Sequence, residues 1–490
     1  MSYACRMITD GEANNMVDPI KFGTDGWRGV IARDFTFQNC RRVAQAIADY
    51  VKEEKLKHKG PKGPLSGPMV IGYDKRFQSD AFAREIAKVL EANQMNPILM
   101  EEALPTPAIS FMTKKLSGVG VMVTASHNPP SYNGVKIKID GRAALDEVTK
   151  GIESWVDRTA PTRAAEIKTK SYRDAYLQYL KARADLPKIK SKLKKPIVID
   201  YMHGAGSGLM ADVLKAKNLV EIRAKHDPMF GGVHPEPIEQ YLGALTEAVK
   251  KNKAAVGLAL DGDADRFGLM DENGKYLTPC QVFPMIVLYL IEKKKFKGKI
   301  VQSVSLGYLA ERIAKEKGVA FEQLPVGFKY VAERLAMGEA DIAGEESGGY
   351  AWANKGGIAE RDGMLTALLF LEMMAVTGKT PSQLWKEVES RFGASYYKRI
   401  DYRIHKAVAD KALWTQKLTK KLPKKLLGTP IKELIPIDGL KIILEDGHWL
   451  LMRPSGTEPL MRVYAESDKP ERTQGLLDMA KKWVAPNLNA

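Results

Sequence analysis

The chain predicts an α/β protein: three related strand-turn-helix units followed by a smaller α+β unit with a mostly antiparallel sheet. An apolar strand run passing into a polar or Gly-containing turn and then an amphipathic helix begins at Pro68 (PMVIGYDKRFQSDAFAREIAKVL), at Lys195 (KPIVIDYMHGAGSGLMADVLKAK) and at Gly298 (GKIVQSVSLGYLAERIAKEKG). Strand, turn and helix repeated in this way mark α/β folds. The C-terminal stretch reads instead as short strands with one final helix. At 490 residues there is room for about three or four domains of ordinary size.

In the first unit Phe82, Ile86 and Leu90 recur at four-residue spacing, the period of a one-sided helix, behind Ser79 and Asp80 as capping candidates. Residues 118–124 (GVGVMVT) read as a buried strand, and Asn133-Gly134 as a tight turn before a second strand at 135–140. Ser126 then lies on the loop between two strands, which Pro129 and Pro130 stiffen. In the second unit residues 203–208 (HGAGSG) lack the lysine and spacing of a P-loop and the full dinucleotide fingerprint, so a strand-to-helix turn is expected. The apolar run 255–260 leads into DGDADR at 261–266. The third unit carries a Gly-rich loop, GEESGG at 344–349, after a short strand. Strands are expected at 396–404, 440–444, 449–452 and 461–465, then a helix from about Pro470. Boundaries fall near residues 160, 280 and 393, giving units at 1–160, 161–280, 281–393 and 394–490.

Composition narrows the function classes. Apolar residues make up 44% and charged residues 27%, which is ordinary for a globular protein, and no apolar run approaches the roughly 20 residues that span a bilayer. A membrane protein is therefore not expected. The N-terminal MSYACRMITDGEANNMVD lacks the basic start and apolar stretch of a secretory signal, so a cytoplasmic location is expected. Cys5, Cys40 and Cys280 are odd in number and form no C-x-x-C pair, which speaks for reduced thiols. Much of the net charge of +16 sits in Lys-rich runs at 188–195, 293–299 and 417–425. No zinc-finger, RNP-type or helix-turn-helix pattern accompanies them, so nucleic acid is not an expected partner; attraction of small anionic substrates fits as well.

Five separated segments carry the chemistry: FGTDGWRG at 22–29, TASHNPP at 124–130, DGDADR at 261–266, GEESGG at 344–349 and RPSGTEP at 453–459. A free serine is a weak nucleophile that needs a base or prior activation, and His127 and Lys136 are the local groups beside Ser126. Asp261, Asp263 and Asp265 would raise one another's pKa values without a cation, and oxygen-only ligands suit Mg²⁺. Together with Glu272 they match positions of an EF-hand, but Arg266 stands where that loop requires glycine, and the flanks read as strands. Arg266 is placed to clamp a phosphate oxygen through its planar fork. Arg453, Ser455, Gly456 and Thr457 bring a bidentate donor, two hydroxyls and a flexible glycine together, the composition of an anion nest. Glu345 and Ser347 suit vicinal hydroxyls, unless their loop is only an exposed acidic turn. Together these are the parts of a phosphoryl-transfer enzyme.

The order of these motifs resembles the α-D-phosphohexomutase superfamily, over roughly residues 20 to 465. The resemblance implies four domains around one central cleft, three related α/β domains with mixed sheets and a fourth that contributes a phosphate loop. It implies that Ser126 is phosphorylated in the working enzyme and that Ser126, Asp261, Asp263 and Asp265 jointly hold Mg²⁺. Lys136 and His127 become candidates for acid/base work and Arg28 for transition-state charge, while Thr24 and Gly29 shape their loop. Arg453, Ser455, Gly456 and Thr457 would bind the non-transferring phosphate, and Glu345 and Ser347 the sugar hydroxyls. Substrates would be hexose phosphates, with glucose 1,6-bisphosphate as activator and the protein a monomer or homodimer. Many members with mannose or glucosamine specificity have histidine near Gly348 or Gly349. The E-E-S form and Gly327-Phe328-Lys329 resemble phosphoglucomutases, which favours glucose phosphate and places Lys329 among the substrate groups. A dual phosphomannomutase/phosphoglucomutase and a metal-dependent sugar-phosphate phosphatase are the alternatives.

Overall fold

The computed structural model describes residues 19–23, 26–57, 66–354, 356–408, 410–455 and 459–484. Cys5, Thr24, Gly456 and Thr457 lie outside them.

Three successive mixed sheets share one arrangement. In the first, Met69–Tyr73 pairs in parallel with Pro97–Met100 on one side and Val119–Val123 on the other, and Val119–Val123 pairs antiparallel with Tyr132–Ile139. In the second, Ile197–Asp200 lies parallel to Leu219–Ile222 and Val256–Leu260, the latter turning back antiparallel into Phe267–Met270. In the third, Ile300–Ser303 lies parallel to Phe321–Leu324 and Ile342–Glu345, which turns back into Gly349–Trp352. The first sheet grows to eight strands and the second to five, while the third keeps four. The strands that precede the three antiparallel turns, Val119–Val123, Val256–Leu260 and Ile342–Glu345, are buried at every position. That fits parallel strands covered by helices on both faces.

The shared arrangement brings the sites together. Val119–Val123, Val256–Leu260 and Ile342–Glu345 each reverse into their antiparallel neighbour through one loop, and the three loops carry Ser126, Asp261 to Arg266, and Glu346 to Gly348 respectively. The expected repeat beginning at Pro68, Lys195 and Gly298 corresponds in each sheet to the strand flanked by two parallel partners and to the helix that follows it.

Two local expectations are corrected. Asn133 and Gly134 lie inside the strand Tyr132–Ile139 and form no turn. A Cβ at Gly134 would stand 2.6 Å from the Trp27 carbonyl oxygen and 2.7 Å from that of Thr124, so glycine permits close approach of neighbouring strands. Ser79 does not cap its helix. Gln78 holds the N-cap position, and the buried Ser79 hydroxyl donates to Asp74 Oδ1 at 2.7 Å.

The fourth sheet has six strands and is antiparallel throughout, in the order Tyr396–Arg403, Leu460–Ser467, Trp449–Pro454, Leu440–Leu444, Thr429–Ile435, Lys425–Leu426. The helix Pro470–Val484 packs on it. Buried polar groups hold this sheet to the third unit. Glu466, fully buried, accepts from the Tyr308 amide at 2.9 Å and from Trp449 Nε1 at 2.7 Å, and Lys441 Nζ donates to the Val304 carbonyl at 2.8 Å. Among the described residues no helix is long and apolar enough to cross a membrane. Cys40 and Cys280 are buried and free.

Candidate active site

The Ser126 hydroxyl, wholly buried, donates to Asp261 Oδ2 at 2.8 Å, joining the loop of the first sheet to that of the second. Asp261, Asp263 and Asp265 each offer a carboxylate oxygen within 4.8 Å of the others, all buried. Lys136 Nζ crosses from the first sheet to Asp263 Oδ2 at 2.9 Å and Asp265 Oδ2 at 3.2 Å. The opposite oxygens, Asp263 Oδ1 and Asp265 Oδ1, are buried without a hydrogen-bond partner. Buried carboxylate oxygens seldom lack a partner, and two of them within one carboxylate triad fit a divalent cation.

Charge is divided unevenly over the triad. Burial, and then Asp263 and Asp265, push the Asp261 carboxyl well above the usual range. Burial acts against the charge of Asp263 as well, but Lys136 and the Thr106 hydroxyl outweigh it and hold Asp263 well below that range. Asp261 Oδ1 also accepts from the amides of Asp265 and Arg266, at 2.9 and 3.0 Å.

His127 is half-buried, its Nδ1 3.5 Å from Ser126 Oγ. Desolvation, then the charges of Arg266, Arg28 and Lys136, push its imidazole well below the ordinary histidine range and leave it neutral near pH 7. Arg28 hydrogen-bonds Asn128 Oδ1 on the serine loop. Arg266 is held by Glu236 at 3.1 Å and lies 3.9 Å from Asp261.

In the third sheet Glu345 is buried, which rules out the exposed acidic turn. Its Oε2 accepts from the Ser347 hydroxyl at 2.9 Å and from Arg361 at 3.0 Å. Lys329, buried at the start of the helix Phe328–Ala336, pairs with Asp146 of the first unit, to which the Tyr330 hydroxyl also donates at 3.2 Å. Arg453 pairs with Asp438, which accepts from Lys411 at 2.9 Å as well. Ser455 is buried, its amide bonded to the Leu460 carbonyl at 2.8 Å. Of the expected phosphate loop, Gly456 and Thr457 lie outside the described residues.

Three groups near these residues carry no sequence signal of their own. Arg361 bridges Asp265 and Glu345, at 3.0 Å to each, and so ties the aspartate loop to the glutamate loop. Thr106 bonds Asp263 through its hydroxyl and through its amide, the latter at 3.0 Å. Arg76 lies beneath the serine loop. The segment 203–208 leads from the strand Ile197–Asp200 to the helix Leu209–Leu214, the expected strand-to-helix turn. A Cβ at Gly204 would stand 2.7 Å from the Asp261 carbonyl oxygen, so this turn is packed against the aspartate loop.

A buried serine on a carboxylate triad, beside a neutral imidazole and several guanidinium groups, is the equipment of phosphoryl transfer. Comparison with known proteins agrees. Four profiles of phosphoglucomutase/phosphomannomutase domains match in order: alpha/beta/alpha domain I over 19–163, domain II over 174–274, domain III over 278–392 and the C-terminal domain over 379–482. The chain is 30% identical to a probable phosphoglucosamine mutase of Methanosphaera stadtmanae over 95% of its own length and 98% of that protein. It is 29% identical to a phosphoglucomutase/phosphomannomutase of Thermococcus kodakarensis over 94% and 97%. A putative phosphomannomutase from Thermus thermophilus superposes with a TM-score of 0.83 at 35% identity, covering 96% of this chain and all of that one. The chain belongs to the phosphoglucomutase/phosphomannomutase family, whose members are phosphotransferase isomerases.

Proposed function

We propose that this phosphohexomutase interconverts glucose 1-phosphate and glucose 6-phosphate through a phosphoserine at Ser126 and a bisphosphorylated sugar. The observation that carries the reading is the buried Ser126 hydroxyl 2.8 Å from Asp261, at the meeting point of the first two loops. The bond from phosphorus to Ser126 Oγ breaks as one forms to a free sugar hydroxyl. That hydroxyl's proton passes to His127, which is neutral and beside Oγ, and the departing Ser126 oxygen takes up a proton from Lys136. The bisphosphate then turns over and returns its other phosphate to Ser126 by the same exchange in reverse. Asp261, Asp263, Asp265 and the phosphorylated Ser126 would hold Mg²⁺, which when bound neutralises charge on the phosphoryl oxygens. Glucose 1,6-bisphosphate is the priming activator in this reading.

Arg28 and Arg266 face the transferring phosphate. Arg453, Ser455, Gly456 and Thr457 hold the other, and Glu345, Ser347 and Lys329 read the sugar. Glucose preference is supported by the E-E-S loop, which has Gly348 and Gly349 where many mannose- or glucosamine-specific sequences have histidine. A second reading has its own support, since several relatives at 30 to 32% identity are named probable phosphoglucosamine mutases; dual glucose and mannose activity is a third.

One assay separates them: purified protein, Mg²⁺, a trace of glucose 1,6-bisphosphate and the 1-phosphates of glucose, mannose or glucosamine, with 6-phosphate and free phosphate followed together. Faster conversion of the glucose ester without phosphate release is expected. Preference for glucosamine phosphate or equal mannose turnover would replace the substrate assignment, and phosphate release without isomerisation would make the protein a phosphatase.

A further inference from the structure

Resting on the phosphoserine reading above, we infer that Asp74 and Arg76 form a positioning pair that sets the Ser126 backbone for phosphoryl transfer. Both side chains are fully buried and lie 3.2 Å apart. Arg76 donates to four carbonyls of the serine loop: Ser126 at 2.6 Å, Asn128 at 2.7 Å, Pro129 at 2.8 Å and Tyr132 at 3.0 Å. Asp74 works from the other side. It accepts from the Thr124 hydroxyl at 2.6 Å, and Thr124 Oγ1 accepts from the Ser126 amide at 2.8 Å.

Both backbone polar groups of Ser126 are therefore fixed by one ion pair, the carbonyl by Arg76 directly and the amide by Asp74 through Thr124. The need for such a clamp is visible in the backbone. Ser126 has φ of 53°, in the left-handed region, where a serine persists only if its surroundings determine it. Relaxing that angle would swing the hydroxyl away from Asp261. A guanidinium suits the task because its planar fork serves several carbonyls at once, which the point charge of lysine does not.

The pair also reaches the second unit. The Arg76 guanidinium lies 5.0 Å from the centre of the buried Phe230 ring, and Gly262 of the aspartate loop would bring a Cβ to within 2.5 Å of the Ser126 carbonyl oxygen. The carbonyl that Arg76 binds is thus the one against which the aspartate loop rests. Arg76 sets the serine and limits how the aspartate loop approaches it.

The test uses the full chain as wild type, Arg76→Lys, Arg76→Ala and Thr124→Val, each checked for folding by circular dichroism. Ser126 phosphorylation after incubation with glucose 1,6-bisphosphate is read by mass spectrometry, and kcat and KM are measured. In folded Arg76→Lys and Thr124→Val, kcat is expected to fall by about 100-fold, the effect of roughly 1 Å of misplacement, with KM nearly unchanged. Arg76→Ala is expected to regain part of its kcat with millimolar guanidinium and none with sodium chloride. If wild type never carries phosphate on Ser126, the underlying reading fails and the inference falls with it. If wild type does, and both Arg76→Lys and Thr124→Val keep wild-type kcat, the pair is only structural. Should Arg76→Ala not fold, the Lys and Val variants decide alone.

Discussion

Ser126 and Asp261 meet across two sheets, hydroxyl to carboxylate, at 2.8 Å. They are 135 residues apart in sequence and are brought together because each occupies the equivalent reversal loop of its own sheet. Ser126→Ala removes the oxygen proposed to carry the phosphoryl group while leaving Asp261 Oδ1 bonded to two backbone amides. Turnover should fall by at least about 1000-fold, as when a nucleophile is deleted, with the melting temperature within a few degrees of wild type. Residual isomerisation near the wild-type rate would remove Ser126 from the reaction.

The aspartate triad gives a second prediction. Without a cation, three buried carboxylates crowd one another, and two of their oxygens lack partners. Mg²⁺ should therefore raise the melting temperature in a concentration-dependent way, corresponding to about 2.7 kcal/mol at a hundredfold excess over Kd. Asp261→Asn keeps the shape and the backbone bonds to Oδ1, places an Nδ2 donor where Oδ2 accepts from Ser126, and removes one charge. In EDTA it should melt no lower than wild type, and Mg²⁺ should no longer stabilise it. An undiminished Mg²⁺ shift in this variant would place the cation elsewhere.

The parts of the site legible in the sequence were those whose chemistry is local. Asp261, Asp263 and Asp265 lie within five residues, and Ser126 sits beside His127, so their types and spacing announced them. Arg76, Thr106 and Arg361 carried no such signal. Each is an ordinary residue in its own segment and acquires its role only when folding sets it against a distant segment, of the same unit for Arg76 and of another for Thr106 and Arg361. Asn133-Gly134 is ambiguous in the sequence for a related reason: glycine serves a tight turn and a close strand crossing equally well, and only the neighbouring Trp27 and Thr124 carbonyls decide between them. The sheets were legible as far as apolar runs reveal strands, whereas the equivalence of the three reversal loops appears only with the strand pairing.

Gly349 supplies a test of specificity. A Cβ there would stand 2.7 Å from Arg361 Cδ, and at Gly348, with φ of 85°, 2.5 Å from the Phe267 carbonyl oxygen. Arg361 fills the space a larger residue would need, and it joins Asp265 to Glu345. Gly349→His should therefore not confer mannose turnover. It should lower kcat/KM by roughly tenfold or more on every sugar phosphate, as should Arg361→Ala, and the double variant should be little worse than either, the non-additivity expected of residues in contact. A gain in mannose turnover would show that Arg361 can move aside and that the glycine alone sets specificity.

Asp362 predicts a pH dependence of stability. It caps the helix Gly363–Thr377 through the Leu365 amide at 2.9 Å and accepts from the Tyr176 hydroxyl at 3.0 Å. Burial raises its carboxyl to about 7, against the lowering effect of those hydrogen bonds. In the unfolded chain it titrates near 3.8, so from there to about pH 7 the folded protein binds a proton that the unfolded one has released. Its contribution is fully present below pH 4, declines as pH rises, and is lost above about 7. Asparagine caps a helix about as well as aspartate and can still accept from Tyr176 and Leu365, but it does not titrate. The melting temperature of Asp362→Asn should therefore gain on wild type between pH 5 and about pH 7 and hold a constant lead above it. Parallel curves over that range would mean that Asp362 is ionised in the folded protein throughout, with its charge met by a partner such as Arg183.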